Sequence, residues 1–258
     1  MVHPFTRDLA YHRYKATLGD TVLDILGSDH KLSSKQMKVI FEEILREKAP
    51  EVIFYEFITL PEGSMSTRKG KFVSVDDLVD EAISRATEEI KSRNPDLTDE
   101  EIAPMAEQIG IGAIRFFIAK LSPEKHLTFK WDEALSFERG CASIQYAHAR
   151  ACKLLDKSGK DVSALTIDES WIPNETEQDL VRLIAKFPQV VEDCASKKRV
   201  HNITQYCQDL AGSFNKFYKS EQVIGSDVED TRLILVDRAK TTIKNALDIL
   251  GVSAPEKM

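Results

Sequence analysis

The chain has no Cys-x-x-Cys pair, no His-Glu-x-x-His segment and no ordered Ser, His and Asp set that reads as a nucleophilic triad. Its four cysteines, Cys141, Cys152, Cys194 and Cys207, stand far apart, which implies no metal site and fits no small disulfide framework. They read as reduced, mostly structural thiols. No apolar run approaches the length that spans a bilayer, and the segment Met1 to Asp8 lacks the apolar core of a signal peptide. A cytoplasmic protein without membrane contact is therefore expected. There is no internal repeat and no low-complexity tract. Positive charge is also short: the net charge of −7 argues against sequence-blind coating of nucleic acid. Local basic faces still matter more than the total. Lys197, Lys198, Arg199, Lys216 and Lys219 fall close together, and the simplest reading of them is a solvated helical face.

What is present divides into two halves. A helical segment over Thr6–Thr17 precedes a short strand, Thr21–Leu26, that ends at Gly27. Met37, Ile40, Phe41, Ile44 and Leu45 repeat at helical spacing between Ser33 and Lys48, and Pro50 follows. Val52–Leu60 is rich in β-branched and aromatic residues and reads as a second strand. Strand, helix and strand at these lengths predict a βαβ unit with parallel strands. Two strands make no covered sheet by themselves, so this region reads as a piece of a larger one. The rest is helical. Ser74 with Asp77 and Thr98 with Glu101 are capping patterns; the second opens a stretch that Pro104 is expected to interrupt. Ile111–Leu121 is apolar enough to be buried. A long helix is expected over Asp132–Lys157, then a linker to Asn174, then helices near 175–194, 197–219 and 229–250. The fold class is thus an α/β remnant of a Rossmann-like parallel sheet followed by an all-α bundle, mostly α overall. The boundary is placed near Leu135, giving domains 1–134 and 135–258.

The segment Gly63-Ser64-Met65-Ser66-Thr67-Arg68-Lys69-Gly70 follows the second strand. Glycines permit unusual backbone geometry, and turns of N–H groups make anion-binding concavities. Arg68 and Lys69 add charge suited to phosphate oxygens. The alternative is a solvated turn between a strand and a helix. Asp8 has the chemistry to pair with a planar guanidinium, or to sit as an ordinary acid in a first helical turn. Asp29 and His30 follow the end of a parallel strand, where ligands usually bind, although a polar connecting loop reads equally well. Tyr146 and Arg150, four apart, share a helix face while His148 points elsewhere. Phe214 and Phe217 read as core, and Tyr218 as the residue of that segment free for contact.

Leu60-Pro61-Glu62-Gly63, the loop after it and Lys71-Phe72-Val73-Ser74 together resemble the lysine-rich signature of class I aminoacyl-tRNA synthetases, in the form used by arginyl-tRNA synthetases. Thr6-Arg7-Asp8-Leu9-Ala10-Tyr11-His12 is similar to that family's arginine-site segment. Gln145-Tyr146-Ala147-His148-Ala149-Arg150 resembles the start of its anticodon-binding domain, and Leu235 to Met258 its closing helix. The resemblance implies an arginine–tRNA ligase activity, the ATP-dependent attachment of arginine to its tRNA. It assigns ATP, with Mg2+, to Met65, Ser66, Arg68 and Lys69. It assigns arginine to Asp8 and His30, and tRNA to Tyr146, Arg150, Tyr218 and Met258. No protein nucleophile is needed, because activation rests on positioning and charge stabilisation.

The sequence also departs from the family. Its first, His-rich ATP signature is missing, so the chain reads as beginning inside the catalytic domain. Pro4 stands where the arginine site usually has tyrosine. Ser64 and Thr67 stand where the loop's lysines usually are. The departures support two further readings: a catalytically inactive module that binds the anticodon arm, and a partial enzyme completed by a separate polypeptide. A generic helical interaction protein is the weakest alternative.

Overall fold

The computed structural model describes residues 4–59, 74–136 and 140–258. The chain forms two compact units, one of residues 1–64 with 122–129, the other of residues 65–121 with 130–258.

In the first unit, helix α1 (Pro4–Lys15) precedes strand β1 (Leu23–Gly27), a 3-10 turn (Ser28–His30) and helix α2 (Lys31–Val39). Strand β2 (Glu51–Tyr55) pairs in parallel with β1, Asp24 opposite Val52 and Leu26 opposite Phe54. This is the expected βαβ unit. Two details differ. The helix after β1 ends in a π-helical turn, Ile40–Leu45, which Arg46 closes in the left-handed conformation at φ 56°. The expected single strand to Leu60 is instead two: after Tyr55 the backbone leaves β1, Glu56 N–H donates to the Pro123 carbonyl, and β3 (Ile58–Thr59) pairs in parallel with β4 (Leu127–Thr128). The pleat sends alternate side chains to opposite faces. Asp24, Leu26, Val52 and Phe54 share one face, while Leu23 and Ile25 on the other remain 43% and 63% exposed.

The second unit is all helical. Helix α3 (Val75–Arg93) and helix α4 (Asp99–Ala119) both start with complete capping boxes, Ser74 with Asp77 and Thr98 with Glu101. They pack closely enough that a Cβ on Gly110 would lie 2.9 Å from the Ala82 backbone. Pro104 does not interrupt α4. It removes only the bond to the Glu100 carbonyl, in an exposed first turn that water reaches, while the α4 face carrying Ile102, Ala106 and Ile109 stays buried. By length and composition alone, α4 is long and apolar enough to pass a test for membrane-crossing helices. Glu107, Gln108 and Arg115 break the run in sequence, and half of the apolar window is buried inside the protein, as in a core helix.

The long helix expected over Asp132–Lys157 is two helices, α5 (Trp131–Ala134) and α6 (Cys141–Ser158). Gly140 is the N-cap of α6, and a Cβ there would stand 2.4 Å from the Ser136 carbonyl oxygen, so the position admits no side chain. Helices α7 (Glu175–Lys197), α8 (His201–Ser220) and α9 (Glu229–Ile249) complete the bundle. Ile144, Leu180, Leu210, Phe214, Phe217, Leu233 and Ile243 are among the fully buried side chains of its core. All four cysteines are free, and burial pushes the Cys207 thiol up to about 12 and Cys141 further in the same direction. They are inert packing groups, as expected.

One ion network ties three helices. Arg232 on α9 donates to Glu177 at the start of α7 (2.8 Å), to Glu221 just after α8 (2.9 Å) and to the Gln222 carbonyl. The Glu177 side chain is 2% exposed, so losing its cation strands a buried carboxylate. Arg232→Ala should therefore lower the unfolding free energy by roughly 3–5 kcal/mol. Urea denaturation of wild type and variant measures this. A loss below about 1 kcal/mol, the value of an exposed pair, would contradict it.

Candidate functional site

Two places carry the residues singled out from sequence, one in each unit. In the first unit a cavity of about 810 Å³ lies over the Asp24–Leu26 face of the sheet, walled by α1 and α2. Asp8, on α1, and His30, in the turn after β1, both line it. The Asp8 carboxylate makes no ion pair among the described residues, and both side chains are exposed. Sequence reasoning missed what stands beneath them. His12 donates through Nδ1 to the Asp8 carbonyl (2.7 Å), and its Nε2 meets the Asp24 carboxylate, which also accepts from Lys15 at 2.7 Å. Burial raises the Asp24 pKa, but the Lys15 and His12 hydrogen bonds outweigh it, and the net shift is downward. The carboxylate stays ionised and anchors α1 to β1. The only trace in sequence was His12 at four residues from Asp8. A cavity with one free carboxylate and several fixed charges suits a small, charged, hydrogen-bonding ligand.

Met65, Ser66, Arg68 and Lys69 lie outside the described residues.

In the second unit, Tyr146 and Arg150 on α6 meet Tyr218 on α8. The Arg150 guanidinium carbon lies 4.6 Å from the centre of each tyrosine ring. Its Nη1 donates to Asn215 Oδ1 at 2.5 Å. Tyr146 is 45% and Tyr218 39% exposed, while Phe214 and Phe217 are core, as expected. Cation and rings attract through the ring quadrupole, and partly exposed rings offer faces to a further planar group. Met258 is placed elsewhere: it packs, partly buried, on the small cluster of Ile90, Ile102 and Ile109.

His148 points away from this patch, as its position on the helix requires. It is 2% exposed, its Nδ1 donates to the Pro255 carbonyl at 2.9 Å, and Cys152 Sγ lies 3.8 Å away. Gln145 Nε2 donates to the carbonyls of Gln108 (3.1 Å) and Ser253 (2.9 Å), and Arg115 to that of Gly251. Alternate carbonyls of the tail, at 251, 253 and 255, are thus held by three side chains. Burial lowers the His148 pKa and raises that of Cys152, so the pair is neutral and not a thiolate–imidazolium nucleophile.

Comparison with known proteins accords with both places. Residues 5–131 match the family described as tRNA synthetases class I (R), catalytic domain, and residues 144–258 match the DALR anticodon binding domain. The parts are those of a class I aminoacyl-tRNA synthetase. Over 253 residues, 98% of this chain and 44% of the relative, the sequence is 84% identical to the arginine–tRNA ligase of Methanobrevibacter smithii. It is 59% identical to that of Methanothermobacter thermautotrophicus over 98% of this chain and 45% of the relative. The Thermus thermophilus arginyl-tRNA synthetase structure superposes with a TM-score of 0.80 at 30% identity, over 93% of this chain and 41% of that one. The chain belongs to the arginyl-tRNA synthetase family, and corresponds to the C-terminal half of its members. It spans a little under half the length of the curated relatives it matches.

The buried histidine has a measurable consequence. Its folded pKa lies below the ordinary value of 6.5, because burial disfavours the imidazolium. The unfolded chain binds the proton first as pH falls. The stability from neutral His148 is therefore complete above pH ~6.5 and is lost as pH drops toward the folded value. Urea midpoints should fall for wild type between about pH 7 and 5, and fall less for His148→Gln, whose amide still donates. Equal slopes would refute the assignment.

Proposed function

We propose that the chain supplies the arginine, ATP and tRNA contacts of an arginine–tRNA ligase, acting in the cytoplasm. Residues 1–134 serve the catalytic part and 135–258 the anticodon part; the two family matches, which leave residues 132–143 between them, support that division. Asp8 pairs with the arginine guanidinium, whose planar donors suit a carboxylate. His30 lines the same cavity. Met65, Ser66, Arg68 and Lys69 hold the phosphates of ATP, and Mg2+ enters with those phosphates. Tyr146, Arg150 and Tyr218 contact the anticodon arm of tRNA-Arg, and Met258 takes its place near that arm through the tail. The single observation that carries the reading is the Arg150 cation held against two partly exposed tyrosine rings on a bundle of the anticodon-binding family.

Binding is tested by gel shift of the chain against tRNA-Arg and a mismatched tRNA at several salt concentrations. The expected result is preference for tRNA-Arg, with affinity falling as salt rises because phosphate contacts release counterions. Indifference to the anticodon would sink recognition.

Pro4, Ser64 and Thr67 favour a second reading, a module that binds tRNA without catalysis. The bare Leu23 and Ile25 face favours completion by a further polypeptide bearing more of the sheet. Arginine-dependent exchange of pyrophosphate into ATP separates these. The chain alone should give none, since each lost phosphate-contacting cation costs about a hundredfold or more. Adding a polypeptide with the first half of the catalytic domain should restore it. Exchange by the chain alone would overturn the partial-enzyme reading; no exchange after addition would favour the inactive module.

A further inference from the structure

Arg150 is constrained on nearly every side. Its guanidinium carbon lies 4.6 Å from the ring centres of both Tyr146 and Tyr218, so two rings crowd the cation. One of its in-plane donors is used as well, Nη1 on Asn215 Oδ1. Nε and Nη2 have no acceptor among the described residues, and neither is among the buried unpartnered atoms, so both reach solvent. Only one edge remains for a ligand. Two parallel donors on that edge match an acceptor pair lying in the same plane, a phosphate or the O6 and N7 edge of a guanine.

Contact with the rings holds the cation close but does not by itself set which edge faces outward. The bond to Asn215 sets that edge. Asn215 lies three residues before Tyr218 on α8, so one helix sets both the ring and the acceptor. An amide also leaves the cation its full charge, which a carboxylate at that point would cancel.

We propose that Asn215 is a positioning residue that turns the free edge of Arg150 toward an in-plane acceptor on the RNA. This rests on the reading of the patch as a tRNA contact. Asn215 itself touches Arg150 and acts through it.

The test is a double-mutant cycle with the full chain and a tRNA-Arg transcript, followed by fluorescence anisotropy across a salt series. Asn215→Ala and Arg150→Lys should each weaken binding about tenfold, the size of one lost bidentate contact. The double variant should be no weaker than Arg150→Lys alone, because Asn215 has nothing else to position. A merely structural asparagine would give additive losses instead. Transcripts with substituted anticodon-loop bases locate the acceptor. A loss that disappears on one substituted transcript assigns a base edge. A loss uniform across transcripts, with the salt slope reduced by about one, assigns a phosphate. Tyr146→Ala serves as a control for the patch. If Asn215→Ala binds as wild type while Tyr146→Ala and Arg150→Lys weaken, the positioning role is overturned and the tRNA contact stands. If no variant changes binding, both fall.

Discussion

Helix α6 divides its side chains among three tasks, and the helical period enforces the division. Ile144, Ala147 and Ala151 recur at three and four residues and face the core. Gln145 and His148, three apart, face the tail and hold its carbonyls. Tyr146 and Arg150, four apart, face outward and meet α8. These sets interleave along the sequence, so none shifts register without the others. The alanines between them let neighbouring helices approach closely, which keeps the outward pair fixed on a rigid element rather than a loop.

The tail extends this coupling. Arg115 comes from α4, in the span matched by the catalytic-domain family, whereas Gln145 and His148 come from the anticodon-binding span. All three grip one extended segment whose Val252 and Pro255 are buried. Ala142 of α6 also packs with Ile102 and Ala106 of α4. The last helices of the catalytic match and the anticodon bundle are thus one packed body. A shift of α6 would carry α4 with it, because packed cores move as units rather than bend. The orphaned Gln145 Oε1 marks what this arrangement leaves unsatisfied: both amide hydrogens serve two carbonyls, and the buried oxygen receives nothing.

Much of this was legible in the chain. The βαβ unit, the two capping boxes, the terminal helices and the pairing of Tyr146 with Arg150 on one face all follow from local patterns of short range. What failed did so where a backbone contact decides the outcome. Gly140 heads α6 where the Ser136 carbonyl leaves no room for a side chain, and the strand after Tyr55 changes partner where the Glu56 N–H meets the Pro123 carbonyl. Neither neighbour is apparent from sequence. Pro104 misled in the opposite direction, since exposure of one carbonyl made its lost bond inexpensive. Asn215 was passed over because nothing marks an asparagine as a partner of an arginine 65 residues away. Met258, chosen for its resemblance to the family's end, packs partly buried on a small cluster that pattern alone did not connect to it.

An acidic protein that meets a polyanion must keep selected cations uncompensated. Here most of the prominent pairs cancel: Lys160 with Glu229 and Asp230, Arg232 with Glu177 and Glu221, Lys244 with Asp248. Arg150 differs in kind. Its described partners are an amide oxygen and two phenol rings, all neutral, so it is held in place without losing its charge. A carboxylate partner would have fixed the side chain as well but left no net field for a phosphate or a guanine edge. Neutral partners cost less desolvation than a buried ion pair and still hold the side chain in place. The unfavourable long-range field of a chain at −7 is screened within about 8 Å at physiological salt, whereas an edge-on contact acts at under 3 Å. At that distance the local geometry of a cation such as Arg150, and not the total charge, would decide whether a polyanion is held.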